Sequence, residues 1–286
     1  MDYVWLTNQC IARSSETVLN QPIPLWDGYN SVVTSDDRPT TLVHTIPLYR
    51  SPAHEYNTLI DVLKQAQQIM ASVMGHNSMF VITFDMDLYM RAMKLQSLRP
   101  DVYSNYVFWL GEFHAVLSFL CATGSFIENS VIDDAWVQSD IYSLDTCKQI
   151  LEGKHMKRAL YADVTTMQVL SDLTMELFSV DYADVYQQLQ SLFSELLDDG
   201  VDSQFSHTDR LHSAMQAFLE SGVSSDFEAL LMHKKDAFFC MFSFFWSYIE
   251  LLQTLMNFIR ASRQGLWWLH LSSLEKLCSF PSARTD

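Results

Sequence analysis

One stretch, AFFCMFSFFWSYIELLQTLMNFI at residues 237–259, constrains this chain more than any other. It runs 23 residues with a single charge, Glu250, so a fold must hide it in a core or place it across a bilayer. Glu250, Gln253 and Asn257 recur at helical spacing on one stripe, and a carboxylate at mid-bilayer is costly. The expectation is therefore a buried core helix over residues 226–260. A carboxylate within such a helix needs a reason, either a satisfied buried glutamate or a site residue.

The rest of the chain divides by periodicity. Strand signals cluster early, in PIPLW, TTLVHTIPLY, MFVITFD and YVFWLG, each rich in Val, Ile, Thr or aromatics. A helix over residues 51–74 is expected between them, with Ser51 as N-cap, Pro52 at the first helical position and Leu59, Val62, Leu63, Ala66 and Ile69 on one face. LYMRAMKLQSL and GEFHAVLSFLCATGSFI read as further helices. After about Ile132 the strand signals stop, and amphipathic helices broken by Gly, Ser and Asp follow. Strands with alternating helices, then helices alone, predict an α/β layer followed by a helical block.

Composition excludes several function classes. Apolar residues make up 49% of the 286, which argues for a packed core. The five cysteines, Cys10, Cys121, Cys147, Cys240 and Cys278, include no CxxC pair, so neither a disulfide framework nor a zinc site is expected. With no basic-then-apolar leader, the expected location is intracellular, nuclear or cytoplasmic. Net charge is −16, and residues 181–236 hold eleven acids against three basic residues. Such a surface repels phosphates, so the chain alone should bind duplex DNA weakly. The densest basic cluster, Lys154, Lys157 and Arg158 in EGKHMKRAL, reads first as a solvated helix start.

Three acids and one histidine stand out as candidates for chemistry. Asp27, in WDGYN, is either a hairpin turn residue or a strand-borne carboxylate, and sequence leaves the two open. Asp85 ends the apolar run MFVITFD, where α/β sheets place ligands. Asp87 immediately precedes Leu88 and fits the cap of the next helix better, which leaves Asp85 for a site. Glu250 is the third acid. Three converging carboxylates can hold two divalent cations about 4 Å apart for phosphodiester cleavage. His114, at a helix start, could contact a phosphate or a metal-bound water, or simply be hydrogen-bonded there. No Walker loop, HExxH, GxSxG or dinucleotide fingerprint occurs.

Taken together, the blocks PIPLWDGYNS, SPAHEYNTLIDVLKQAQ, ITFDMDLYMRAMKLQ, GEFHAVLSFLCATGSFIENS, QILEGKHMKRAL and IELLQTLMNFIRASRQGLWWLHLSSL resemble a multicopy family of uncharacterised, transposon-encoded animal proteins with distant fungal relatives. The resemblance covers about residues 22–274. It implies a ribonuclease-H-like α/β fold, a mixed sheet with flanking helices and a large all-helical insertion, as in cut-and-paste transposases. Asp27, Asp85 and Glu250 then take the three metal-binding places, for Mg²⁺ or Mn²⁺. Only two strand signals precede the first helix, where that fold has three.

The implied division is an N-terminal segment at 1–20, the core at 21–131, the insertion at 132–225, and the returning long helix with a short last one at 226–286. Members of the resembled family extend further at both ends, so a truncated or decayed copy is expected. The expected function is a transposase-derived domain whose ancestral reaction is metal-dependent DNA cleavage and strand transfer, inactive alone. It would meet DNA only in a longer or oligomeric context. The rival expectation is a non-catalytic interaction module whose acidic helical block binds a partner protein.

Overall fold

A computed structural model describes residues 45, 48–75, 79–197, 216, 220, 222–237 and 240–279. Among these are eleven helices and two strands. They fall into two units, one ending at Phe119 and one running on from Leu120.

The first unit is built on a strand–helix–strand crossover. Helix α1 (Tyr56–Met74) precedes β1 (Phe80–Phe84), helices α2 (Met86–Leu98) and α3 (Pro100–Tyr103), β2 (Tyr106–Leu110) and the start of α4 (Glu112–Ile127). β1 and β2 pair in parallel, Phe80 opposite Tyr106 through Phe84 opposite Leu110. Parallel pairing follows from the helical connection, because a tight turn cannot return a chain in the same direction. Strand alternation gives one buried side: Phe80, Tyr106 and Phe108 pack with Leu59, Leu63, Ala92, Leu95 and Tyr103. The Tyr106 hydroxyl, inside this cluster, donates to the Leu63 carbonyl at 3.1 Å. Gln96 in turn donates to the carbonyls of Tyr103 and Tyr106 at 3.0 and 2.9 Å. β1 and β2 lie where MFVITFD and YVFWLG place them. Helix α1, however, starts four residues later than Pro52 suggests. Glu55 occupies its N-cap without a side-chain bond, and the Glu55 amide instead closes a turn onto the Pro52 carbonyl at 3.2 Å.

The second unit is helical. It comprises the end of α4 with α5 (Val131–Gln138), α6 (Leu144–Leu151), α7 (Met156–Asp181), α8 (Ala183–Leu197), α9 (Val223–Ala237), α10 (Met241–Gln264) and α11 (Trp267–Ser279). Helix α10 is the centre. It buries Trp246, Tyr248, Ile249, Leu251, Leu252, Leu255, Phe258 and Ile259, mainly against α11 and α7. Aromatic contacts tie its first turns down: Phe244 stacks on Phe126 of α4 at 4.9 Å, and Trp246 meets Phe227 of α9 at 6.0 Å. Gly265 ends α10 in the left-handed conformation, φ 63°, with its amide on the Ala261 carbonyl. That geometry favours glycine, and it lets α11 fold back so that His270 lies over Phe258 at 4.6 Å.

Two expectations are corrected here. The ribonuclease-H-like mixed sheet with flanking helices does not hold: the described chain is dominated by helix, and its sheet has two parallel strands only. The reason lies in the pattern after Gly111, where apolar residues recur at helical spacing and helices cover one another, α10 on α11 and α7 on α8. The single long helix over 226–260 is also two helices, α9 and α10. Within the stretch expected to form a buried core helix, Trp246 and Ile249 are buried, Phe242 and Phe245 only half so, and Phe238 lies outside the described residues. Among the described residues no single helix is long and apolar enough to cross a membrane.

One glycine fixes a packing distance. A Cβ on Gly124 of α4 would run into the backbone of Leu151 at the end of α6, an obstacle that no rotamer change removes. Gly124→Ala should therefore lower stability by roughly 1–3 kcal/mol, despite the better helix propensity of alanine. Chemical denaturation measures it, and a stabilised variant would refute the close approach.

Candidate functional site

Each candidate carboxylate in the described residues already has a local task. Asp85 stands between β1 and α2 with extended backbone, φ −67° and ψ 173°, and is the N-cap of α2. Its Oδ1 accepts from the Leu88 amide at 2.9 Å, satisfying one of the donors that a helix start leaves open. Asp87, expected as the cap, sits inside the first turn and accepts from Arg91 Nε at 2.9 Å. The strand ends at Phe84 and the helix begins at Met86, so only residue 85 has the extended backbone that a cap requires.

Glu250 is exposed on α10. Its Oε1 accepts from the indole Nε1 of Trp246, one turn earlier, at 2.8 Å. Trp246 is itself buried, and the bond gives its single polar hydrogen a partner. His114 lies in the first turn of α4, half-buried, with its ring edge-on to Phe113 at 5.4 Å and its amide on the Gly111 carbonyl at 2.9 Å. Asp27 lies outside the described residues. Asp85 and His114 belong to the first unit, Glu250 to the second.

Among the described residues no three His, Cys, Asp or Glu side chains gather closely enough to hold a metal ion. Each of these two carboxylates is engaged within its own unit, Asp85 turned back onto a helix start and Glu250 onto an indole. The basic cluster is likewise occupied in part, Lys154 pairing with Glu152 at 2.6 Å in solvent.

The acid with the most unusual surroundings is not among the three sequence candidates. Asp163 on α7 is only 3% exposed and accepts from the Tyr248 hydroxyl of α10 at 2.7 Å. No ion pair to it appears among the described residues. Burial pushes its carboxyl up to about 7, and the Tyr248 hydrogen bond offsets part of that rise. Tyr248 is raised well above its ordinary value by its own burial and by the nearby carboxylate. Close by, Trp136 of α5 donates to Thr166 Oγ1 at 2.8 Å, and Thr166 donates to the Ala162 carbonyl at 2.8 Å. α5, α7 and α10 thus meet around a small polar island in an apolar interior. A signal for it exists in the sequence: Ala159, Ala162, Asp163, Thr166 and Met167 share one helical face.

The first unit is a small crossover and the second a helical assembly. A family model described as a domain of unknown function, DUF8702, matches residues 25–285. The chain belongs to that family. No curated protein and no solved structure matches it.

Two measurements follow from these side chains. Asp85→Ala should cost about 1 kcal/mol through the lost cap, whereas Asp85→Asn or Asp85→Ser should recover most of it. A loss that Asn does not rescue would mean the carboxylate does something other than capping. For Asp163 the sign is set by a folded carboxyl that holds its proton to about pH 7, against 3.8 in the unfolded chain. Between those values the folded state keeps a proton that the unfolded state has released, so stability falls as pH rises from about 4 to 7 and is flat above. That span corresponds to something on the order of 4 kcal/mol. Asp163→Asn keeps an oxygen for Tyr248 and should flatten this slope; parallel pH–stability curves for both proteins would contradict it.

Proposed function

We propose that this chain is a non-catalytic protein-interaction module, a remnant of a transposon-encoded family. The origin is supported by the sequence blocks quoted above, and the non-catalytic reading by what the acids do locally. The observation that carries it is the hydrogen bonding of Asp85 and Glu250. One closes a helix end and one satisfies a buried tryptophan, roles that a helical scaffold needs whether or not chemistry takes place. Net charge of −16 adds to this, since a module of that charge suits protein partners with basic surfaces better than a nucleic-acid backbone. Metal-dependent DNA cleavage is the competing reading, and it depends on Asp27.

The test is thermal melting with and without Mg²⁺ or Mn²⁺, alongside incubation with labelled duplex DNA. Neither cation should raise the melting temperature through these acids, and the duplex should stay uncut and bind weakly at physiological salt. A cation-dependent rise that disappears in Asp85→Ala or Glu250→Gln, or strand cleavage that these substitutions abolish, would overturn the proposal.

A further inference from the structure

Helix α7 has two unlike sides. One buries Ala159, Ala162, Asp163, Met167, Ser171, Thr174, Met175 and Phe178. On another, Val169, Leu173, Leu177 and Val180 are 51%, 52%, 42% and 75% exposed. Their spacing of four, four and three residues keeps them in one row over three turns. Asp172 and Glu176, a turn apart, border that row, and Asp181 and Asp184 follow at its end. Lys234 of α9 reaches Asp181 at 2.9 Å. Between Arg158 and Arg210 the sequence contains ten acids and no lysine or arginine. A solvated helix face is ordinarily polar, with charges of both signs. This one is an apolar row bordered by acids, with the Lys234 ammonium paired to Asp181 at its far end.

We infer that this face of α7 docks a basic amphipathic helix from a partner protein. Apolar anchors at i, i+3, i+4 and i+7 of the partner would seat along Val169, Leu173, Leu177 and Val180. Lysines or arginines flanking those anchors would meet Asp172 and Glu176, which sets orientation and speeds encounter. A second copy of the same face would oppose acid to acid, so charge argues against self-association there. An anionic membrane is disfavoured for the same reason. The inference rests on the interaction-module reading and gives that module a partner class.

The test uses the full chain and a labelled synthetic peptide of about 18 residues, five helical turns, with leucines on one face and lysines on the rest. Fluorescence anisotropy should report binding, and a scrambled peptide of the same composition should bind at least about tenfold more weakly. Leu173→Asp with Leu177→Asp should weaken the amphipathic peptide by about tenfold or more. Asp172→Asn with Glu176→Gln should weaken it less and reduce its sensitivity to salt. All four residues lie off the buried side of α7, and an unchanged melting temperature checks that the variants fold. Equal binding of the two peptides, or no effect of the leucine substitutions, would overturn the inference. So would a dimer by light scattering that Leu173→Asp dissociates, because the face would then belong to a second copy. Failure of the peptide with no response to Mg²⁺ or Mn²⁺ removes this surface and leaves the module reading standing. Metal-dependent cleavage removes that reading and leaves the peptide result to be judged alone.

Discussion

The burial of α10 is the constraint on which the second unit depends. Its apolar side chains extend around most of the helix, so one neighbour cannot cover them. α11 returns over one side through the turn at Gly265, and α7 lies along another. Burying side chains such as Leu252, Leu255 and Phe258 stabilises by roughly 1.5–3 kcal/mol each relative to exposure, which makes this the main source of cohesion. Two hydroxyls buried on α7 bond to the carbonyl one turn back, Ser171 to Met167 and Thr174 to Leu170. Such bonds satisfy a buried donor without a partner from another helix.

Asp163 differs from these hydroxyls, because its hydrogen bond runs between helices, as that of Trp136 to Thr166 also does. A carboxyl and a phenol that must meet at one height fix the register of α7 against α10, where an all-apolar contact would tolerate sliding. The cost appears as a carboxyl held near pH 7. Burial of an acid with only a neutral donor is rarely the most stable choice for a core. Its presence here fits a helix pair whose alignment matters more than its maximal stability.

The sequence revealed the elements better than their assembly. β1 and β2 were legible because short runs of β-branched and aromatic residues, bounded by Asp and Gly, have few other readings. The helices were legible from their 3.6-residue period. The cap of α2 was misplaced by two residues: Asp85 and Asp87 both precede an apolar helical run, and the choice depends on where the strand lets go, which the pattern does not state. Glu250 looked like a solitary core carboxylate, although Trp246 stands four residues before it, a spacing that brings an indole and a carboxylate together on a helix surface. Asp163 escaped notice because A-D-V-T-T suggests a polar face until its neighbours at three and four residues are included. The fold class went wrong at a different level. An order of strand, acid, strand, helix is compatible with a mixed sheet, but two five-residue strands and a run of mutually covering helices satisfy it equally well.

Gly124 bears on how the history of this family can be read. At that position the Leu151 backbone admits a hydrogen atom and nothing larger, so tolerance there is close to all or none. Genes that duplicate and fall silent accumulate changes without regard to such a contact, whereas genes whose product must still fold cannot. The range of residues that different members carry at this one site therefore separates drift from selection. It does so without knowledge of any substrate or partner, because the demand comes from the meeting of two helices alone.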